Sequence, residues 1–158
     1  MTKATADLYD EYGDSLQVAA PLFKNYGAKK IFSGKISTVK CFEDNSFVRS
    51  TLEMPGEGKV LVVDGGGSLR CALLGDMLAE LGIKNGWSGI VIYGCIRDSA
   101  IISEMDIGVK GLNTNPKKSL KKDIGERDIP VNFAGVEFVP DHFLYADEDG
   151  FVVSDKAL

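Results

Sequence analysis

The sequence predicts an α/β fold in one domain over residues 1–158, with a mixed sheet, or two sheets, and helices on one side. Three observations predict it. Val60-Leu61-Val62-Val63 and Ile90-Val91-Ile92-Tyr93 are short, unbroken apolar runs, as in strands buried on both faces. Between them Leu74, Met77, Leu78 and Leu81 recur at helical spacing, so residues 60–93 read as a parallel, right-handed strand–helix–strand crossover. Around this unit lie short strand-like runs divided by turn residues, which signals hairpins. A chain of 158 residues is long enough to enclose a core.

Taken in order, residues 4–12 read as a short helix. Residues 28–42 and 46–53 are rich in Ile, Val, Phe and Thr around Glu43-Asp44-Asn45, which predicts a hairpin. Met54-Pro55-Gly56-Glu57-Gly58 breaks the pattern before the first buried strand. Asp64-Gly65-Gly66-Gly67 ends that strand in a sharp loop, and Gly86 terminates the crossover helix. A brief helix follows near 99–105. Residues 107–112, 130–139, 143–146 and 151–153 read as further strands, the last two joined at Asp147-Glu148-Asp149-Gly150.

Composition removes several function classes. The hydrophobic fraction of 44% excludes disorder, and no apolar run approaches a membrane span. The first residues carry no apolar stretch of a secretory signal. Cys41, Cys71 and Cys95 are odd in number and form no Cys-x-x-Cys pair, which excludes a disulfide framework and a thiolate zinc site and suits a reducing cytoplasm. The net charge of −5 disfavours direct nucleic-acid binding. The basic cluster Lys117-Lys118-Ser119-Leu120-Lys121-Lys122 has no interleaved aromatics and reads as a solvated loop. The single histidine, His142, follows Pro140-Asp141 and reads as a turn residue rather than a base.

Three segments are candidate sites. Asp64-Gly65-Gly66-Gly67 follows a strand, as nucleotide-binding turns do, but Arg70 stands where the fingerprint's third glycine belongs, so a plain turn is favoured. The consecutive carboxylates of 147–149 lack the spacing of a calcium loop. The third candidate pairs Gly75-Asp76-Met77-Leu78 with Arg97-Asp98. A helix starting at Gly75 leaves its first N–H groups free at the positive end of the dipole, where a carboxylate can bind. Arg97 and Asp98 fall just past a strand end, where open α/β sheets place ligands. Arg97 can fork onto a carboxylate or enolate, Asp98 can hold a hard divalent cation, and Asp76 can anchor a water for proton transfer. Such parts suit a 2-oxo acid. The same residues also admit a plainer reading, a surface ion pair and a kink at Gly75, and by themselves they leave both open.

Residues 39–45, 61–67, 91–94, 106–109, 131–136 and 144–147 together make the chain resemble the regulator of ribonuclease E activity A family. That family is related to class II 4-hydroxy-4-methyl-2-oxoglutarate/4-carboxy-4-hydroxy-2-oxoadipate aldolases. The aldolase branch is marked by an acidic residue, a spacer and Arg-Asp, here Asp76, residues 77–96 and Arg97-Asp98. The resemblance implies a three-layer β/β/α swivelling-domain fold and a homotrimer with sites between subunits. It implies that Gly75, Asp76, Met77, Leu78 and Arg97 bind a small 2-oxo acid, that Asp76 and Arg97 serve catalysis, and that Asp98 ligates Mg2+ or Mn2+. The implied activity is cleavage of 4-hydroxy-4-methyl-2-oxoglutarate to pyruvate, with oxaloacetate decarboxylation beside it. The longer aldolases carry extra C-terminal sequence that reaches a neighbouring site, whereas this chain ends at Leu158, so the resemblance leaves substrate choice and catalytic efficiency open. The resemblance also implies an alternative, a protein that binds and inhibits ribonuclease E.

Overall fold

A computed structural model describes residues 3–158. The helix α1 (Thr5–Tyr12) opens the chain, followed by a 3-10 turn and two short strands, β1 (Gln17–Val18) and β2 (Lys24–Asn25). Then come β3 (Phe32–Lys40), α2 (Ser46–Leu52), β4 (Val60–Asp64), β5 (Ala72–Leu74), α3 (Asp76–Lys84), β6 (Gly89–Ile96) and α4 (Ser99–Ile102). The chain closes with β7 (Gly108–Thr114), β8 (Glu126–Arg127), β9 (Val131–Phe133), β10 (Val136–Phe138), β11 (Phe143–Asp147) and β12 (Gly150–Ser154).

The strands run in the order β1-β12-β11-β3-β4-β6-β7-β2, with β5 on β6, β8 on β3, and β9–β10 as a separate hairpin. β3, β4, β6 and β7 are parallel, whereas β1, β11, β12 and β2 join antiparallel. This is the mixed α/β architecture the sequence predicts.

Its layering follows from strand periodicity. Along β4 and β6, Leu61, Val63, Ile90 and Ile92 point to one side and pack with Val48 and Leu52 of α2, Leu78 and Ala79 of α3, and Ile102 of α4. Val60, Val62 and Val91 point to the other side, against Val131, Phe133, Val136 and Phe138 of the hairpin and Leu144, Phe151 and Val153. Unbroken apolar runs are therefore required, because both faces are dry. The result is helices, parallel strands and a second β layer, as the resemblance implies. α1 covers the outside of β11–β12 through Leu8, with Tyr145 and Val152.

Three expectations are corrected. The segment 46–53 is helix α2, not the second arm of a hairpin. Ser46 N–H and Oγ both donate to Asp44 Oδ1, at 2.9 and 2.6 Å, and this Asp-anchored turn leads into the helix. The buried residues Val48, Thr51 and Leu52 then fall on one helical face. Second, Leu74 belongs to β5 and Met77 is 69% exposed, so α3 buries Leu78, Ala79 and Gly82 instead of the Leu74–Met77–Leu78–Leu81 stripe. Third, residues 130–139 are two strands, turned by Ala134 and Gly135 at φ of 52° and 74°.

Candidate active site

β5 and β6 end side by side. Arg97 N–H donates to Leu74 C=O at 2.8 Å, which sets Gly75 and α3 beside Arg97 and Asp98. A Cβ on Gly75 would lie 2.8 Å from Asp98 Oδ2 and 3.5 Å from Arg97 Cγ, so a larger residue there would displace the Asp98 carboxylate. Asp76 N–H donates to Asp98 Oδ2 at 3.1 Å, so one of the expected free amides is already engaged. Those of Met77 and Leu78, in the first turn of α3, still face outward at the positive dipole end. Asp98 sits at φ 59°, left-handed, and begins α4. Arg97 and Asp98 form no ion pair with each other among the described residues, and Arg97 Nη1 donates instead to Pro116 C=O at 3.4 Å. The plain ion-pair reading therefore fails.

A cavity of about 90 Å³ gathers Gly75, Asp76, Met77, Leu78, Arg97 and Asp98, every residue named from the sequence. It also gathers Asn45, Arg49, Lys118, Ser119 and Lys121, which sequence reasoning missed. Asn45 is 9% exposed and donates through Nδ2 to Leu73 C=O at 3.3 Å, while its Oδ1 has no partner. A buried acceptor without a donor is costly, so a ligand or water must answer it. Arg49, Arg97, Lys118 and Lys121 outnumber Asp76 and Asp98, which makes the cavity attractive to anions.

The basic segment 117–122 is thus not a free solvated loop. Ser119 Oγ accepts from Asn45 N–H at 3.2 Å, and Leu120 N–H donates to Glu43 C=O at 3.1 Å. Asp44 Oδ2 accepts from Lys122 and Ile124 N–H at 2.8 and 3.2 Å. Burial alone would raise the Asp44 carboxyl, but the Ser46, Lys122 and Ile124 hydrogen bonds outweigh it and hold its pKa below the usual range. The folded value lies below the unfolded one, so the stabilisation is full above the unfolded carboxylate pKa of about 3.9 and is lost as pH falls through the folded value. The protection of the Lys122 and Ile124 amides, relative to their intrinsic exchange, is expected to fall below about pH 4, and in Asp44→Asn already at neutral pH.

Other chemistries find no footing. Cys41, Cys71 and Cys95 are all buried and unpaired, and burial pushes the Cys41 thiol up to about 12 and raises the other two, so none is a thiolate nucleophile. His142 N–H closes a turn onto Val139 C=O, as its sequence context predicts. In the glycine loop, Gly65 and Gly67 N–H both donate to Tyr93 C=O at 3.1 Å, and Gly66 N–H donates to Asp64 Oδ1 at 3.0 Å. Those amides are spent inside the protein and cradle no phosphate. The larger hollow of about 460 Å³ beside α1 is lined mainly by Val18, Ala19, Phe151 and Val152 and lacks convergent charged groups. No helix of the described residues is long and apolar enough to cross a membrane.

The potential metal donors among the residues lining the cavity are hard oxygens, from the Asp76 and Asp98 carboxylates and the Asn45 amide. That donor set fits Mg2+ or Mn2+. No trio of His, Cys, Asp or Glu converges among the described residues, so such an ion would complete its shell with water and substrate.

The family model "RraA-like: Aldolase/RraA" matches residues 4–153. A protein of Alkalilimnicola ehrlichii named "Putative 4-hydroxy-4-methyl-2-oxoglutarate aldolase" is 58% identical over 100% of this chain and 98% of its own. The crystal structure of a Geobacillus kaustophilus protein described as an S-adenosylmethionine:2-dimethylmenaquinone methyltransferase is 51% identical, with a TM-score of 0.97 over 99% of this chain and 97% of that one. The RNA-processing inhibitor RraA from Thermus thermophilis is 44% identical, with a TM-score of 0.96 over 100% and 96%. The chain belongs to the RraA-like, Aldolase/RraA, family.

Proposed function

We propose that this protein is a carbon–carbon lyase that releases pyruvate from 2-oxo acids, with 4-hydroxy-4-methyl-2-oxoglutarate as substrate and oxaloacetate as a second one. One observation carries the reading. The amides of α3, Arg97 and the two carboxylates converge on a single cation-rich cavity, which is also lined by Asn45, whose buried Oδ1 has no partner among the described residues. The Met77 and Leu78 amides and Arg97 bind the substrate carboxylate and hold C2 near the strand ends. Asp76 positions a water that takes the C4 hydroxyl proton. The C3–C4 bond then breaks, its electron pair becomes the enolate of pyruvate, and a proton returns to C3. Arg97 stabilises the negative charge as it develops. Asp98 would hold the Mg2+ or Mn2+, which when bound polarises the keto oxygen.

The test is pyruvate release from both substrates with Mg2+ and with excess EDTA, after subtraction of the metal-only background. Turnover is expected only with metal, and a folded protein without turnover above background would overturn the lyase reading. Arg97→Lys loses the planar fork, so kcat/KM is expected to fall about 10–100-fold, through kcat as well as KM. Phe42 and Ile124, which line a neighbouring hollow, and Leu120 are each more than half exposed, which supports a subunit interface there, such as a homotrimer would supply. Light scattering of the purified protein checks that state.

The close likeness to the Thermus inhibitor favours a second reading, binding to ribonuclease E. Pull-down with purified ribonuclease E, using wild type and Asp98→Asn, separates the two functions. Equal capture by both proteins would place the docking surface outside the cavity. No capture at micromolar concentration would reject this reading.

A further inference from the structure

The cavity is too small for the whole substrate. At about 90 Å³ it falls well short of the roughly 300–1,000 Å³ of an ordinary small-molecule pocket, so it seats the three-carbon pyruvate head and little more. The fragment that departs from C4 must therefore lie elsewhere. A second hollow of about 240 Å³ adjoins the first and shares Arg49 and Met77 with it. Its remaining lining is Glu80, Leu81 and Lys84 of α3.

Arg49 stands where the two spaces meet. It follows Asn45 by one helical turn, so both present to the same side of α2, towards the start of α3. Its only ion pair among the described residues is with Glu53, at 3.8 Å and between half-exposed side chains, which holds the guanidinium weakly. Met77, exposed, forms an apolar rim between the spaces. In the outer hollow Arg49 and Lys84 oppose the single carboxylate of Glu80, so the hollow favours a negative group over a neutral one.

We propose that Arg49 is a specificity-determining residue, which receives the carboxylate borne by the departing fragment once the pyruvate head is seated at Gly75–Leu78 and Arg97. The inference rests on the lyase reading above. It assigns the selection of the substrate's far end to α2, while the head is recognised by α3 and the end of β6. Selectivity then arises because a planar, permanently charged fork pairs with a carboxylate and gains nothing from a methyl group.

The experiment compares two substrates with the same head. 4-Hydroxy-4-methyl-2-oxoglutarate releases a charged fragment, whereas 4-hydroxy-2-oxopentanoate releases a neutral one. The wild type is expected to favour the first at least about tenfold in kcat/KM, Arg49→Met to bring the ratio near one, and Arg49→Lys to restore part of it. The ratio is read within each variant, so partial misfolding cannot mimic the result. Exchange of the pyruvate C3 protons in D2O by the wild type tests the head site separately. If that exchange is absent, the lyase reading falls and this inference with it. If exchange occurs but Arg49→Met keeps the wild-type ratio, the inference alone is overturned.

Discussion

Asp98→Asn is expected to lower kcat/KM for pyruvate release by about 10²–10³-fold, roughly 3–4 kcal/mol, and to leave the fold intact. Asparagine tolerates the left-handed backbone at φ 59° nearly as well as aspartate, and its carbonyl can still accept from Asp76 N–H. What it removes is the negative charge that would anchor a divalent cation. Activity measured against Mg2+ concentration, beside thermal unfolding, checks both halves. Wild-type turnover in a folded Asp98→Asn protein would sink the metal assignment. Alanine is the poorer variant, because it removes the left-handed tolerance as well and confounds activity with strain.

Gly108→Ala is expected to cost about 3 kcal/mol or more of stability. Gly89 and Gly108 are register partners on β6 and β7, and the Phe32 ring lies across both. A Cβ at Gly108 would fall 2.1 Å from Phe32 Cδ1, and one at Gly89 would fall 2.2 Å from Cδ2. Phe32 is 3% exposed and enclosed by the second β layer, so the ring cannot swing aside. A fall of roughly 6–12 °C in Tm is expected. Phe32→Leu should recover part of the loss in the Gly108→Ala background, although alone it destabilises. Additive losses in the double variant would show that ring and glycine are not in contact.

What the sequence revealed, and what it hid, has physical causes. β4 and β6 were legible because strands dry on both faces need unbroken apolar runs, and no other element of this length reads so. The pairing of Gly75–Leu78 with Arg97–Asp98 was legible because both lie at chain reversals next to those strands. α2 was misread because seven residues span barely two turns, and its Phe, Val and Thr content imitates a strand. Only the Asp44–Ser46 turn marked it, and that misreading concealed Asn45 and Arg49. Lys118 and Lys121 were missed for another reason. Nothing local shows that Asp44 ties their loop over the cavity, since residues some 78 positions apart meet only in the folded chain.

Besides the short pairing with β8, β3 belongs to two longer ladders. Phe32–Lys35 pair antiparallel with β11, and Ile36–Lys40 pair parallel with β4. Ile36 enters the core beneath the second β layer, and Val39 enters the core beneath the helices. Neither core can open without releasing the same strand, so the molecule has no seam along which to come apart in stages. Native-state hydrogen exchange should therefore show the protected amides of β4, β6, β11 and β12 converging on a single opening free energy. Synthesis runs against this arrangement. β3 emerges early but stays half-paired until β11, more than a hundred residues later, leaves the ribosome. The nascent chain thus carries an open strand edge for most of its translation, which marks that interval as the one in which a chaperone would act.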